Sequence, residues 1–229
     1  MTPIELVIFD CDGVLIDSEM IAAEVEAQLL SRNGYRIEPQ EISERYSGLP
    51  WKAILMEIES SAGVPFSASL IDEAERMVDE RLAREVRMID GADRAIEAIT
   101  RPKCVCSNSS GERLRLSLGH VGLYEAFSPN IFSALEVGTR KGKPAPDVFL
   151  YAAKTMGAAT GQTVVIEDSV HGVTGARAAG MRVIGFTGAS HTYSSHADRL
   201  IEAGAETVIS RMRDLPSTID AFEVWSDAI

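Results

Sequence analysis

Residues 4–13, Ile4-Glu5-Leu6-Val7-Ile8-Phe9-Asp10-Cys11-Asp12-Gly13, constrain this chain more than any other stretch. An apolar run rich in branched side chains predicts a buried strand, and it ends in two carboxylates spaced by one residue. Side chains alternate along extended backbone, so Asp10 and Asp12 are expected to project together while Cys11 turns aside. Gly13 lets the backbone turn sharply off the strand. Two carboxylates this close call for a cation or a shared proton between them. In open α/β sheets the ligand crevice lies at the carboxyl ends of strands, where this pair falls. The chain therefore opens with a candidate active site.

The same rhythm continues downstream. Short apolar runs predict strands over 4–10, 103–107, 130–133, 163–167, 182–186 and 206–209, with helical patterns between them, notably over 111–119, 146–156, 170–179 and 196–203. This alternation implies an α/β fold, a Rossmann-like, mainly parallel sheet with helices on both faces. One stretch departs from it. Between 17 and 88 the pattern is helical only, marked by Ile21, Val25, Leu29 and Leu30, by Ile54, Leu55 and Ile58, and by Leu70, Ala74, Met77, Val78, Leu82 and Val86. We expect a core domain from 1–16 and 89–229, and a helical cap domain, 17–88, standing over the Asp10–Asp12 end of the sheet. Residues 13–17 and 89–93 would be its hinges. The many Glu and Arg residues over 72–87 read as a solvated helix face.

Composition excludes several classes. Lys and Arg total 22 against 34 Asp and Glu, a net charge of -12, which argues against nucleic acid or an anionic membrane as partner. Cys11, Cys104 and Cys106 all fall in predicted strands and are expected to be buried, reduced thiols; Cys104 and Cys106 lack the further ligands that a zinc site needs. With no charged leader ahead of the first strand and no apolar run of membrane-spanning length, a soluble, cytoplasmic protein is expected, a monomer or weak dimer.

Three more strand ends carry chemistry. Lys103-Cys104-Val105-Cys106 runs into Ser107-Asn108-Ser109-Ser110-Gly111, where a hydroxyl and backbone N–H groups before a helix can cradle a phosphate. Plain helix capping by Ser109 or Ser110 is the competing reading. Lys143 precedes a helix starting near Pro146 and can balance the Asp10 charge, although Arg140 and Lys141 beside it also fit a solvated basic loop. Thr163-Val164-Val165-Ile166 ends in Glu167-Asp168-Ser169, adjacent acids suited to a hard cation, with helix capping by Asp168 as the alternative. Gly172, Gly175 and Gly180 lack the dinucleotide-binding spacing and read as close packing of helix on sheet.

Acid pair, hydroxyl, lysine and acid pair at successive strand ends resemble the four motifs of the haloacid dehalogenase-like superfamily: D-x-D-G at Asp10–Gly13, then Ser107, Lys143 and Glu167-Asp168. The likeness spans nearly the whole chain and includes the helical cap of the subgroup containing phosphoglycolate phosphatase and β-phosphoglucomutase. It implies a magnesium-dependent phosphatase acting on a small phosphorylated sugar or sugar acid. Asp10 would be the nucleophile, forming an aspartyl-phosphate, and Asp12 the general acid and base. Mg²⁺ would be held by Asp10, the Asp12 carbonyl and Asp168, with Glu167 supporting that shell, and Ser107, Asn108 and Lys143 would bind the phosphate. Arg45, Gly48, Trp51 and Lys52, in the cap loop that faces the site in relatives, would set specificity; Trp51 reads equally as cap core. Mutase relatives carry a histidine where this chain has Ala22 and an arginine where it has Trp51, which favours hydrolysis. A phospho-accepting receiver or a sugar-phosphate-binding regulator is the non-enzyme alternative. His171 reads as a helix-surface residue near the site entrance, and His120, His191 and His196 show no ligand spacing.

Overall fold

A computed structural model describes residues 3–46, 49 and 51–225. Its centre is a parallel sheet of β1 (Leu6–Phe9), β2 (Lys103–Ser107), β3 (Ile131–Ser133), β4 (Thr163–Glu167), β5 (Arg182–Phe186) and β6 (Thr207–Ile209), in the order β3-β2-β1-β4-β5-β6. The alternation of apolar runs and helices predicts this arrangement, and every expected strand is present. β1 is shorter than expected, but the Asp10 N–H still donates to the Ile166 carbonyl at 3.0 Å, so pairing carries the first acid to the level of Glu167.

Apolar runs without alternation are what a sheet covered on both faces requires. Val7 and Phe9 point into one apolar core, and Leu6 and Ile8 into a second on the opposite face. Phe9 meets Phe127 edge to face, with ring centroids 5.6 Å apart. Cys11, Cys104 and Cys106 are free and buried. The sheet is covered by α5 (Ala92–Ala98), α6 (Gly111–His120), α7 (Tyr124–Phe127), α8 (Asp147–Met156), α9 (Val170–Ala178), α10 (His196–Glu202) and α11 (Leu215–Trp225). Among the described residues no helix is long and apolar enough to cross a membrane.

Four helices, α1 (Glu19–Arg32), α2 (Pro39–Tyr46), α3 (Trp51–Ala62) and α4 (Ser69–Glu85), lie between β1 and α5. In α4, Leu70, Ala74, Val78 and Leu82 form a buried row at intervals of four, while Arg76–Glu80 and Arg81–Glu85 pair on the exposed side. The sequence pattern marks only three of these helices. α2 is missed because its eight residues bury just Ile42 and Tyr46, too short a repeat to stand out. The segments leading into and out of the four helices run together: Ile16 bridges Met88, the Asp17 N–H donates to the Arg87 carbonyl, and the Ile89 N–H to the Leu15 carbonyl. Farther out, Arg113 of α6 pairs with Asp79 of α4 at 2.5 Å.

Candidate active site

The sheet order reverses direction at β1, so the ends of β1, β2 and β4 open onto one crevice, where α/β sheets place their ligands. Asp10 follows β1, Ser107 closes β2 and Glu167 closes β4. The Lys143 ammonium reaches in from the loop before α8 and donates to Asp10 Oδ1 and Glu167 Oε1, both at 2.5 Å. All three side chains are under 10% exposed, so Lys143 is no solvated loop residue. Burial works against its charge, yet the two carboxylates outweigh burial and raise its pKa. Burial pushes the pKa of Asp10 well up, Lys143 opposes this, and the charges of Glu167, Asp168 and Asp12 add to it. Glu167 is raised by burial too.

Asp10, Glu167 and Asp168 each offer an oxygen within 4.8 Å of the others, the one such group of metal-type ligands among the described residues. Three buried acids facing one lysine leave negative charge uncompensated, and an all-oxygen donor set suits a hard divalent cation. The residues present therefore fit a metal ion. The Asp12 carboxylate stands outside this group. Its Oδ1 accepts from Ser18 Oγ at 2.8 Å, and its Oδ2 accepts from Ser107 Oγ at 3.2 Å and Ser109 Oγ at 2.8 Å. Ser110 is the residue that caps α6, accepting from the Arg113 N–H; Ser109 turns to Asp12 instead. Likewise Ser169 caps α9 by accepting from the Gly172 N–H, which leaves Asp168 free of that duty.

Local packing holds these groups in place. Asn108 is exposed, and its side chain brackets the Lys143 backbone, Oδ1 accepting from the N–H at 2.8 Å and Nδ2 donating to the carbonyl at 3.5 Å. Glu167 Oε2 accepts from the Ser169 N–H and hydroxyl. A Cβ on Gly172 would overlap the Glu167 carboxylate, and one on Gly13, whose φ is +74°, would overlap that of Asp168. The glycine after the first acid thus serves two needs, a left-handed turn and close approach.

The cap residues expected to contact substrate are placed differently. Trp51 packs against the apolar core and its indole N–H donates to the Leu70 carbonyl at 3.2 Å. Arg45 lies 3.8 Å from Glu41 and over the Tyr46 ring, and Lys52 is exposed. Gly48 lies outside the described residues. A small cavity between α1, α2 and α3, about 50 Å³, is lined instead by Glu19, Ala22, Glu26, Ser43, Tyr46 and their apolar neighbours. Burial raises the pKa of Glu19 to about 7, with the charges of Asp168 and Asp12 contributing, and that of Glu26 to about 8. A larger hollow of about 500 Å³, beside Ile89, Arg94, Phe186 and Arg211, contains none of the strand-end acids.

Sequence reasoning missed Glu19, Glu26 and the two histidines at Asp168. His191 Nε2 lies 3.2 Å from Asp168 Oδ2, and His196 Nε2 lies 2.6 Å from the Asp168 carbonyl oxygen. Both histidines follow β5, one strand along from the last motif; strand-end position was the available signal, not ligand spacing. His171 is half-buried on α9, with its Nδ1 buried and unpartnered among the described residues.

A model of haloacid dehalogenase-like hydrolases matches residues 4–180. The chain is 31% identical over 195 residues to the 6-phosphogluconate phosphatase of Escherichia coli K12, covering 83% of this chain and 86% of that protein. It resembles the crystal structure of a haloacid dehalogenase-like protein of unknown function from Agrobacterium tumefaciens, with 57% identity and a TM-score of 0.92 over 96% of this chain and 99% of that one. A family hydrolase from Deinococcus radiodurans, with bound phosphate and sodium, matches at 31% identity and a TM-score of 0.79 over 94% of each chain. The chain belongs to the haloacid dehalogenase-like hydrolase family. Within it, this is an enzyme of the phosphoric monoester hydrolase class.

Proposed function

We propose that this protein is a Mg²⁺-dependent phosphatase that hydrolyses a small phosphorylated sugar or sugar acid through an aspartyl-phosphate on Asp10, with residues 17–88 acting as its cap domain. The observation that carries this reading is the buried lysine held between Asp10 and Glu167 beside Asp168. A phosphate dianion cannot approach a carboxylate nucleophile without positive charge between them, and Lys143 supplies one such charge.

Asp10 attacks phosphorus, and its carboxylate oxygen replaces the sugar oxygen. Asp12 gives a proton to that departing oxygen, then takes one from the water that attacks the aspartyl-phosphate and frees Asp10. The hydroxyls of Ser18 and Ser109 fix the Asp12 carboxylate for both transfers. Ser107, the Asn108 backbone and Lys143 hold the phosphoryl oxygens. Asp10, Asp168 and the Asp12 carbonyl would hold Mg²⁺, with Glu167 supporting that shell; when bound, the ion neutralises phosphoryl charge and helps to align the nucleophile. Hydrolysis rather than mutase chemistry is supported by Ala22, a methyl group on the cavity wall that can neither give nor take a proton. The cavity beside Ala22, about 50 Å³, is smaller than a sugar, so a substrate that enters it would require α1–α3 to shift.

The named activity of the E. coli relative supports a sugar-acid substrate, and the phosphate in the D. radiodurans relative supports the phosphoryl site. The test is phosphate release from a panel of phosphorylated sugars and sugar acids, with and without Mg²⁺, beside Asp10→Asn. Mg²⁺-dependent release that is lost in Asp10→Asn is expected. Folded protein that releases none in the presence of Mg²⁺ would overturn the reading.

A further inference from the structure

Two histidines that belong to none of the four motifs close around one acid. Asp168 is buried, and His191 reaches it from the stretch 187–195 that joins β5 to α10, while His196 reaches it from the first position of α10. His191 engages the side chain at Oδ2, with 4% and 6% of the two side chains exposed, and His196 engages the main-chain carbonyl. An acceptor carbonyl requires that His196 Nε2 carry its hydrogen. The two rings lie 5.4 Å apart, and Tyr193 stacks on His196 at 4.8 Å, nearly parallel.

This stretch is anchored on both sides. The Ser190 N–H and hydroxyl both donate to Asp17 Oδ1, at 3.1 and 2.8 Å, just before α1. The Ser43 hydroxyl of α2 donates to the His191 carbonyl at 3.4 Å. Gly13 lies against both groups at their contact, where a Cβ would come within 3.0 Å of His191 Cε1 and overlap Asp168 Oδ2. The ring and the carboxylate therefore have little freedom, and the imidazole nitrogen 3.2 Å from Oδ2 favours one orientation of the carboxylate.

We infer that His191 is a positioning residue: through Oδ2 it holds the Asp168 carboxylate turned toward Asp10 and Glu167, and so sets the affinity of that cluster for a divalent cation. The inference rests on the proposed metal reading of Asp10 and Asp168. A carboxylate that must adopt its ligating orientation on binding loses affinity to the entropy of ordering; one already held does not. His196 holds the backbone of the same residue, and the anchors at Asp17 and Ser43 tie that hold to the base of the helical segment.

The experiment is a titration of Mn²⁺ into the substrate-free full chain, read by electron paramagnetic resonance of the free ion. Wild type is compared with His191→Ala, His191→Leu and His191→Gln, with circular dichroism establishing that each is folded. Leu nearly conserves volume, while the Gln amide nitrogen can take the place of Nε2. Removing the donor is expected to weaken Mn²⁺ binding by ~10–100-fold in Ala and Leu, with most of the loss recovered in Gln. In turnover, the Mg²⁺ concentration for half-maximal rate should rise in parallel, and the rate deficit should shrink as Mg²⁺ is raised. A folded Ala or Leu variant that binds Mn²⁺ like wild type would overturn the inference, as would a folded Gln variant as weak as Leu. Wild type that binds no Mn²⁺ would overturn the metal reading itself, and this inference with it.

Discussion

Asn108 spends both ends of its amide on the backbone of Lys143, accepting from the N–H at 2.8 Å and donating to the carbonyl at 3.5 Å. Lys143 lies 35 residues downstream on a loop, and this bracket joins the end of β2 to the loop that carries the only cation bonded to Asp10 among the described residues. Catalytic lysines lose their value when their backbone drifts, because transition-state charge is stabilised over a few tenths of an ångström. Asn108→Ala should fold normally, since the side chain is exposed, yet lose roughly tenfold or more in kcat/KM, the equivalent of one or two hydrogen bonds. Steady-state kinetics with p-nitrophenyl phosphate checks this.

The two members of the buried ion pair should respond oppositely to removal. Lys143→Ala leaves Asp10 and Glu167 buried without their cation, a change that costs about 3–5 kcal/mol and lowers Tm by roughly 10 °C. Asp10 is different, because burial and three neighbouring acids hold its pKa above the ordinary carboxylate value. At neutral pH its ionisation therefore works against the folded state. Asp10→Asn should match or exceed the wild-type Tm in chelator while abolishing turnover. Thermal melts at pH 7.5 with EDTA decide both.

Gly172 should tolerate no side chain. A Cβ there overlaps the Glu167 carboxylate from the first turn of α9. Glu167 cannot retreat without releasing Lys143 and Ser169. Gly172→Ala is expected to cost about 1–3 kcal/mol through overpacking and to lower kcat/KM as well. A urea melt beside an activity assay measures the two effects.

Glu26 gives stability a pH dependence. Burial raises its folded-state pKa to about 8, from a reference value of 4.5. The folded chain therefore holds this proton between those values while the unfolded chain releases it, so the Glu26 contribution to stability falls as pH rises from about 4.5 to about 8. Glu26→Gln removes that loss. The variant should melt with wild type near pH 4 and above it at pH 9, by on the order of 1 kcal/mol or about 2–4 °C, an amount trimmed by the solvent that reaches a half-buried side chain. Calorimetry at the two pH values tests the sign.

The parallel core and the strand-end chemistry were legible in the sequence because both are local. An apolar run buried on two faces with acids at its end is a property of a few consecutive residues; β1 and β4 carry it openly, and β1 adds the glycine that turns the chain. Asp10, Ser107, Glu167 and Asp168 were singled out in this way, whereas Lys143, on the loop before α8, was marked only by the set of motifs taken together. The family resemblance, not a local pattern, brought Arg45, Gly48, Trp51 and Lys52 forward, but whether a helical residue faces a cavity depends on how α1, α2 and α3 pack. Packing commits the Trp51 indole to Leu70 and lines the cavity with Glu19 and Glu26. His191 and His196 carry no spacing that marks them, because they reach Asp168 from the start of α10 and from the loop before it, which is tied to Asp17 and Ser43. Sequence alone determined which groups stand at the ends of the strands, since backbone periodicity places them there. Tertiary structure decided which side chains orient those groups and line the space above them, since such contacts join residues far apart in the chain and no local pattern encodes them.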